Sequence, residues 1–504
     1  MMTQSRTLAI VGGGAAGVAT FIAMVRRRAA KTIYIIEPRP IGAGIVFGSL
    51  DEDLLCNTSV AIMSVIQDNP DDFLDYLRAK GRHAMPETFA PRAWVGEYLT
   101  DRFREYTGIA AQYGIDVIDL PYRFQSLRVI DERAYSLKLS DTVMTRSITV
   151  SAVVFCTGFG APRVPEPLKC HAGHRTLIGC PYPERDMLKR IPADSRVLVV
   201  GSRLSAIDTA VLLGREQHRV AMVSPSGTLP AVRANSLRNE RYQLEQASLE
   251  ALLTRWKPGT ATTYPAALKH AYLKYVARQL CGYVGKSWRK HFAASEHYDA
   301  RLRDEIALAE RGQNRWQDLL VDLVEKVNAT YTRSEPRFDG GFHPAFAESI
   351  ERYLTAVALP NAKKLMSLID EGRLTVNKGR LICVDVLRNE RAPWRVDWGD
   401  GPQRFDALVL AAGFHLPQFV VNDAGELEIS ENGEGAKAAV GVSRELRADS
   451  SRLPGATSIW FIGPPAHARV PMPNALFVVA AQAERVAAAL AGNGQHAVRE
   501  ASPA

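Results

Sequence analysis

The stretch that decides the fold is TLAIVGGGAAGV, residues 7–18. A short apolar strand runs into three consecutive glycines and then into an alanine-rich helix, and the glycines follow the pattern G-x-G-x-x-G. The first glycine of this pattern permits a tight turn, the second lets a pyrophosphate approach the backbone, and the third lets the helix pack on the strand. The free N–H groups of the helix N-terminus then face the phosphates. The predicted cofactor-binding residues are Gly12, Gly14, Ala15, Ala16 and Gly17.

An acidic residue follows the next strand at the expected place. The second apolar strand, residues 32–36, ends in Glu37, 20 residues after Gly17. A carboxylate at this point holds a hydroxyl of the adenosine ribose. A glycine pattern alone also occurs in turns of nucleotide-free α/β folds. The preceding strand, the following helix and the acid together favour a dinucleotide site, so we add Glu37 to its predicted residues.

Composition limits the class of protein. A chain of 504 residues with 46% apolar and 23% charged residues is typical of a globular protein of two or three domains. The net charge of +8, expected to be spread over a large surface, favours anionic partners such as nucleotide phosphates and does not indicate nucleic acid. The apolar amino terminus is broken by glycines and followed by arginines, unlike a signal peptide, and no membrane span is expected.

The six cysteines stand apart in the sequence. They form no C-x-x-C pair and no zinc-like spacing, so we predict no metal site. Reduced thiols in a cytoplasmic protein fit this pattern best.

A second, degenerate nucleotide motif lies in SRVLVVGSRLSAIDTAVLL, residues 195–213. An apolar strand meets a single glycine, small serines follow, and Ala206 takes the close-packing place. The next strand, residues 219–223, ends in Ser-Pro-Ser without an acid. An acid there would bind a 2′-hydroxyl and repel a 2′-phosphate, so its absence favours NADPH, with NADH as the alternative. The predicted binding residues are Gly201, Ser202, Ser205 and Ser224.

Later segments repeat the strand-then-glycine ending. Residues 126–150 alternate apolar and polar residues, which predicts an antiparallel sheet laid over the first fold. Two buried strands then end in glycine, and a closing strand is followed by a loop and a long helix. The further cofactor-binding residues predicted from these endings are Gly158, Gly413, Gly463, Asn474, Ala475 and Leu476.

Helical spacing dominates residues 235–344. Within this segment, Leu268, Tyr272, Tyr275 and Val276 would share one face of a helix. Lys274 and Arg278 would form a basic row. The row is either a solvated helix face or a docking surface for an anionic substrate or carrier.

These patterns together predict an α/β protein with two Rossmann-like dinucleotide-binding domains and a helical insertion. We expect an FAD-binding domain over residues 1–165 and 372–495. The NAD(P)H-binding domain would comprise residues 166–234 and 345–371, and the helical insertion residues 235–344.

The order of the motifs resembles the flavoproteins with two dinucleotide-binding domains. The segment from Asp406 to Phe414 is similar to the D-x-x-x-x-A-T-G-[YF] signature of class B flavin monooxygenases, with Ala412 in place of threonine. LLCNTS, FAPRAWVGEYL and VVGSRLSAID resemble segments of bacterial amino-acid N-hydroxylase-like and FAD-dependent urate hydroxylase-like proteins. The resemblance implies that FAD binds the first motif and NAD(P)H the second.

The resemblance also implies an activity. Reduction of FAD by NAD(P)H and attack of O2 would give a flavin C4a-(hydro)peroxide, which hydroxylates a small nitrogenous or heteroaromatic substrate, an amino acid included, either free or borne by a peptide or carrier. The candidate catalytic residues are Asn57, Arg92 and His467. Asn57 would hydrogen-bond the flavin or a bound nicotinamide, and is equally well explained as a structural cap. Arg92 would hold an FAD phosphate or a substrate carboxylate, or else form a surface salt bridge. His467 would face the substrate, but an exposed loop histidine explains it better.

Two other functions stay open from the sequence. The first is a flavin reductase or oxidase that inserts no oxygen. The second is a nucleotide-binding partner protein that recognises a peptide or carrier through the insertion. Amine nitrogen, indole carbon and purine carbon all remain open as the reacting atom.

Overall fold

The structure is a computed structural model that describes residues 6–257, 266–334, 342–387, 392–435 and 438–499. In chain order the strands are β1 (Thr7–Val11), β2 (Thr32–Ile36), β3 (Asp116–Leu120), β4 (Arg123–Asp131), β5 (Ala134–Ser140), β6 (Thr145–Val150), β7 (Ala152–Phe155), β8 (Leu177–Ile178), β9 (Arg196–Val200), β10 (Arg219–Ser224), β11 (Val232–Arg233), β12 (Val357–Ala358), β13 (Leu374–Lys378), β14 (Cys383–Val386), β15 (Trp394–Asp397), β16 (Gln403–Phe405), β17 (Ala407–Leu410), β18 (Gln418–Val421), β19 (Leu427–Ser430) and β20 (Ile459–Phe461). The α-helices are α1 (Ala15–Arg26), α2 (Asp72–Ala79), α3 (Arg92–Gln112), α4 (Glu166–Lys169), α5 (Glu184–Arg190), α6 (Leu204–Arg215), α7 (Gln246–Leu253), α8 (Ala266–Val284), α9 (Tyr298–Glu310), α10 (Leu320–Arg333), α11 (Pro344–Leu354), α12 (Leu359–Asp370) and α13 (Leu476–Arg499). Among these helices, none is both long and apolar enough to cross a membrane.

The first domain is built on a parallel sheet with the strand order β20-β7-β1-β2-β3. Its central strands are apolar along their length because both faces of the sheet are covered, as is usual for parallel sheets. Helix α1 packs against both α3 and α13. The carboxyl ends of β1, β2, β7 and β20 therefore meet at one edge, where the first glycine loop lies.

An antiparallel sheet with the order β18-β19-β4-β5-β6 completes the first domain. Strands β4, β5 and β6 are those predicted from the alternation of residues 126–150, and this prediction is confirmed. The outer pair, β19 and β18, comes from a distant part of the chain, with Leu427 in register with Leu127.

The second domain is a parallel sheet with the order β13-β10-β9-β17-β8. Helices α6, α9 and α12 bury their apolar sides on one face, and the three-stranded sheet β14-β15-β16 covers the other. The predicted return to the first domain at residue 372 is wrong, because β13 pairs with β10 and β17 pairs with β9. A run of apolar residues predicts a buried strand but does not identify the sheet that it joins. The second domain therefore extends through Leu410.

The two connections between the domains lie side by side. Gly160 donates its N–H to the carbonyl of His415 at 2.9 Å, and His415 donates its own to Ala161 at 2.9 Å. Pro162 and Phe414 form an antiparallel bridge between the same two segments. The chain thus enters and leaves the second domain through a short paired ribbon.

The insertion is helical, as predicted, and has a small core of its own. Leu268 and Tyr272 on α8 are buried, and Tyr275 and Val276 are partly buried beside them, so the predicted shared face is confirmed. Helix α9 differs, since it packs against α12 and contributes Leu302 to the core of the second domain.

Candidate functional site

The first glycine loop is shaped by close backbone contacts. Gly12 has a φ of +108°, and a Cβ there would lie 2.4 Å from the carbonyl oxygen of Cys156. At Gly17 a Cβ would lie 1.9 Å from the carbonyl oxygen of Gly12. Both positions therefore require glycine. A Cβ at Gly14 would meet only Gly44, 3.6 Å away, so the backbone there is open to the approach of a ligand.

The carboxylate of Glu37 is fixed beside this loop. It is buried, and its Oε2 accepts the backbone N–H of Gly13 at 2.9 Å. Its Oε1 accepts the backbone N–H of Arg39 at 3.2 Å and the Nε of Arg39 at 3.0 Å. The sequence-predicted acid is thus locked at the carboxyl end of β2, where a ribose hydroxyl would be held.

The closing strand, β20, also ends beside the first glycine loop. A Cβ built on Gly463 would lie 3.5 Å from the Cβ of Ala16, so the last strand of the sheet meets the first turn of α1. The buried Oγ1 of Thr157 has no hydrogen-bond partner among the described residues. Gly158 follows it, with open space around the position of a Cβ. An unpaired buried hydroxyl beside the glycine loop needs a polar partner, which a dinucleotide can supply.

Helix α13 begins at Leu476, just after the predicted Asn474 and Ala475. The carbonyl of Ala475 accepts the N–H groups of Val478 and Val479, both at 3.0 Å, so Ala475 is the first residue whose carbonyl enters the helix. This helix N-terminus adjoins the closing loop, residues 464–475, and is suited to negative charge.

His467 lies in the closing loop with both ring nitrogens in contact with protein. Nδ1 is 3.0 Å from the carbonyl of Pro464, and Nε2 is 3.2 Å from the amide nitrogen of Gln418. Because a carbonyl only accepts, Nδ1 carries the proton and Nε2 accepts from the amide. These contacts favour a role in orienting the loop over the substrate-facing role expected from the sequence.

The second glycine loop resembles the first, but it keeps only one glycine and carries serines at Ser202 and Ser205. Gly201 has a φ of +134°, and a Cβ there would lie 2.2 Å from the carbonyl oxygen of Ala411. The hydroxyl of Ser202 lies 2.8 Å from that of Ser224 and 2.8 Å from the carbonyl of Thr228. Two of the predicted binding residues thus fasten the loop to the end of β10. Ser205 lies in the first turn of α6.

A lysine that the sequence analysis missed lies beside this loop. Lys378 ends β13 in register with Ser224, and a Cβ on Gly227 would lie 2.6 Å from its Cβ. The hydroxyls of Ser226 and Thr228 are 2.9 Å apart in the same turn. Lys378 and the two hydroxyls therefore lie at the end of β10, the place where an acidic residue would bind a ribose 2′-hydroxyl. Only the strand order, which the sequence does not give, brings Lys378 there.

Arg92, predicted to hold a phosphate or a substrate carboxylate, is paired in the structure with a carboxylate of the protein itself. Arg92 begins α3 in the first domain, is buried, and forms a 2.6 Å ion pair with Asp208 on α6 of the second domain. The hydroxyl of Tyr182 donates to Asp208 at 2.8 Å and lies 3.3 Å from an Arg92 nitrogen. Burial raises the pKa of the Asp208 carboxyl, and the guanidinium opposes that shift. Arg92 therefore joins the two domains.

A second buried arginine, Arg233, was also not predicted from the sequence. It donates to the carbonyl of Asn57 at 3.1 Å and to those of Tyr353 and Leu354 at 2.7 and 2.8 Å. Burial lowers its pKa to about 10. Asn57 itself is half-buried, and the contact shown for it is made by its backbone. Arg233 thus ties the predicted Asn57 segment to α11 of the second domain. Ser236, in the insertion, donates its N–H to the hydroxyl of Ser59 in the same segment at 2.8 Å.

Helix α10 of the insertion holds the closing loop. The side chain of Asn328 donates to the carbonyl of Met472 at 3.0 Å and accepts its N–H at 3.0 Å. Arg469 in the same loop donates to the carbonyl of Ser334 at 2.5 Å. The insertion therefore contacts the Asn57 segment on one side and the closing loop on the other.

All six cysteines are free. Burial raises the pKa of both Cys56 and Cys156 to about 12, so these thiols are protonated at neutral pH. Neither is suited to thiol–disulfide exchange.

Two glycine loops on separate parallel sheets, with paired linkers between the sheets, define a protein with two dinucleotide-binding domains. Residues 9–160 match the family model described as FAD-NAD(P)-binding. Comparison of the sequence with curated proteins gives no match.

Solved structures share the fold over nearly the whole chain. The ornithine N-hydroxylase of Kutzneria sp. 744, in a complex with reduced FAD, NADP+ and L-ornithine, is 15% identical with a TM-score of 0.57, and the match covers 97% of this chain and 100% of that one. The L-lysine 6-monooxygenase of Pseudomonas syringae is 17% identical with a TM-score of 0.52, covering 97% and 99%. The ornithine hydroxylase of Pseudomonas aeruginosa is 13% identical with a TM-score of 0.51, covering 97% and 99%. The chain thus has the fold of the flavoproteins with two dinucleotide-binding domains.

Proposed function

We propose that this protein is an FAD-dependent, NADPH-consuming monooxygenase that hydroxylates the amino group of a small molecule. The observation that carries the proposal is the pair of glycine loops, which lie on two domains that Arg92 and Asp208 join. The end-to-end likeness in fold to ornithine and lysine hydroxylases supports it.

The residues of the first site fit FAD. The open backbone at Gly14 admits a pyrophosphate, the N-terminus of α1 favours its charge, and Glu37 accepts from a ribose hydroxyl. Thr157 offers the buried hydroxyl that lacks a protein partner. When bound, FAD supplies the redox chemistry: it accepts a hydride from NADPH and passes electrons to O2, so that one oxygen atom reaches the substrate and the other becomes water.

The second site favours NADPH over NADH. The end of β10 carries Ser224, Ser226 and Thr228 where an acid would repel a 2′-phosphate, and Lys378 adds a positive charge to the same turn. Lysine is a compact charge suited to a phosphate.

An amino group is the substrate class best supported. The titles of the matched structures name ornithine and lysine, both of which carry a primary amine. The balanced reaction consumes an amine, NADPH, a proton and O2 and yields a hydroxylamine, NADP+ and water. In this chain the insertion contacts the closing loop through Asn328 and the Asn57 segment through Ser236, and these two segments would enclose the substrate and exclude water.

The test starts from the purified protein with added FAD. We expect a yellow protein that oxidises NADPH faster when L-ornithine, L-lysine or another primary amine from a panel is present. The product should gain one oxygen atom by mass spectrometry. A protein that takes up no FAD would overturn the proposal. NADPH oxidation that yields only hydrogen peroxide with every amine would favour the oxidase alternative.

A further inference from the structure

The excess positive charge of the chain lies in one segment. The chain has 62 lysines and arginines and 54 aspartates and glutamates. Residues 251–295, the basic segment, contain eight of the basic residues and no acidic residue, so the rest of the chain carries 54 of each and is neutral. The expectation that the charge is spread over the surface is therefore wrong. The eight residues are Arg255, Lys257, Lys269, Lys274, Arg278, Lys286, Arg289 and Lys290.

All eight side chains are exposed. They lie at the end of α7, along α8 and in the short turn Trp288–His291, which packs against α8. The apolar side of α8 faces inward through Leu268 and Tyr272, so the charged side faces solvent. The structure thus places these eight exposed cations on the insertion.

Little of this charge is neutralised within the protein. Arg278 forms a 2.9 Å ion pair with Glu245. Among the described residues, no carboxylate lies within 4.0 Å of the amino groups of four exposed lysines. These lysines are Lys269, Lys274, Lys286 and Lys290. Globular surfaces usually mix both signs of charge, and a field of one sign attracts an oppositely charged partner.

We infer that the eight exposed basic residues of this segment form a docking surface for an acidic segment of another protein. Docking of this kind relies on electrostatic complementarity, which steers the encounter and fixes its register. The surface belongs to the same insertion whose α10 holds the closing loop through Asn328. A docked protein would therefore lie on the element that also encloses the proposed substrate site. The docking itself does not depend on the proposed function.

Other occupants fit the surface less well. A helix that lies on a membrane needs a free apolar face, whereas the apolar side of α8 is packed inward and Leu273 is its one large exposed apolar side chain in the described residues. A single-stranded nucleic acid needs exposed aromatic rings. In the described part of the segment Tyr272 is buried, and the other aromatic side chains are partly buried: Trp256, Tyr275, Tyr283, Trp288 and Phe292. A two-fold contact between copies would place like charges opposite each other.

The test measures binding of a fluorescein-labelled peptide of alternating glutamate and serine by fluorescence anisotropy. We expect the affinity of the full-length protein to fall roughly tenfold between about 50 mM and about 250 mM NaCl. The variant K269E/K274E/K290E should bind at least about tenfold more weakly at low salt. The control K138E/K169E/K189E changes the net charge equally, through exposed lysines outside the basic segment, and should bind as the wild type does.

Circular dichroism verifies that both variants are folded. Equal peptide binding by the two variants would overturn the inference. Tighter binding of phosphatidylserine vesicles or of a DNA duplex than of the peptide, with the same dependence on the three lysines, would overturn the choice of a protein partner. Because neither NADPH nor an amine takes part, failure here is distinguishable from failure of the proposed reaction.

Discussion

The guanidinium of Arg92 lies 2.6 Å from the carboxylate of Asp208, and this buried pair joins helix α3 of the first domain to helix α6 of the second. Helix α6 begins in the second glycine loop. The pair therefore sets the position of that loop relative to the first domain. Hydride transfer between two bound dinucleotides depends on such positioning, because small displacements of the reacting atoms cost large factors in rate.

Breaking this ion pair on one side is expected to be costly. Asp208→Asn leaves the Arg92 charge buried without a counter-ion, which costs about 3–5 kcal/mol in the free energy of unfolding by urea. The double variant R92M/D208L removes both charges and should recover part of that loss. As a control, Glu166→Gln removes the exposed ion pair between Glu166 and Lys169 and should cost at most about 1 kcal/mol in the free energy of unfolding. If the losses caused by Arg92→Met alone and Asp208→Leu alone add up to the loss caused by R92M/D208L, the two residues are not coupled.

The glycine at position 17 is expected to be irreplaceable. Its Cβ would lie 1.9 Å from the Gly12 carbonyl, so Gly17→Ala must displace the loop, and we expect about 1–3 kcal/mol of destabilisation together with loss of bound FAD. Gly108 is a matched control, since it is also helical and has open space around it. Gly108→Ala should stabilise the protein by about 0.5–1 kcal/mol. Thermal unfolding and flavin absorbance measure both effects, and similar behaviour of the two variants would refute the close packing.

Lys378 is expected to determine the choice of nicotinamide cofactor. Lys378→Met should weaken the binding of NADPH by about 1.5–3 kcal/mol, because a hydrogen bond to a charged phosphate is lost, and should leave NADH unaffected. Lys378→Arg should restore most of the preference. Titration of tryptophan fluorescence with each cofactor gives the two affinities, with Lys189→Met as an exposed control. An equal loss for both cofactors would exclude recognition of the 2′-phosphate.

The double hydrogen bond between Asn328 and Met472 is expected to keep the closing loop in place. Asn328→Leu removes both bonds and should cost about 1–3 kcal/mol locally. If the loop excludes water from the site, more hydrogen peroxide should be released for each NADPH oxidised. Glu325→Gln, on the same helix but paired with Arg238 and not with the loop, should leave this ratio unchanged. Unchanged peroxide release by Asn328→Leu would show that the loop does not depend on this contact.

His218 is expected to make the stability sensitive to acid. It is buried and accepts the N–H of Ser195 at 3.1 Å, and burial lowers its pKa below the ordinary value. The folded protein therefore disfavours the protonated ring. Its contribution to stability is complete above about pH 6.5 and is lost as the pH falls through the lowered pKa.

His218→Asn should remove this part of the acid sensitivity, so the free energies of unfolding of variant and wild type should converge as the pH falls. His270→Asn alters an exposed ring and should give a pH profile parallel to that of the wild type. If the free energy of unfolding of His270→Asn, and not that of His218→Asn, converged with the wild-type value at low pH, the acid sensitivity would not come from His218.

The features that the sequence predicted correctly are local ones. The turn at the first glycines, the position of Glu37 at the end of β2 and the strands formed by residues 126–150 each depend on spacing within one short segment. Backbone sterics and the periods of helix and strand decide such features, so a single sequence suffices to predict them.

The features that it missed depend on which distant segments meet. Arg92 was assigned to a ligand because its partner Asp208 lies on another domain, and Lys378 was overlooked because parallel strand order is not encoded in periodicity. The wrong boundary at residue 372 has the same cause. A buried apolar strand looks alike in either sheet, and only pairing across the chain distinguishes them.

The paired linkers at Gly160 and His415 have a consequence for how such a chain can arise and be altered. Because the two linkers are neighbours, the segment between them has adjacent ends. A short turn could therefore replace this segment and leave the path of the chain in the first domain unchanged. The second domain and its insertion thus form one continuous segment of the chain whose two ends are adjacent. Recombination at these two points could exchange the nicotinamide-binding half, basic surface included, while the flavin-binding half keeps its own core.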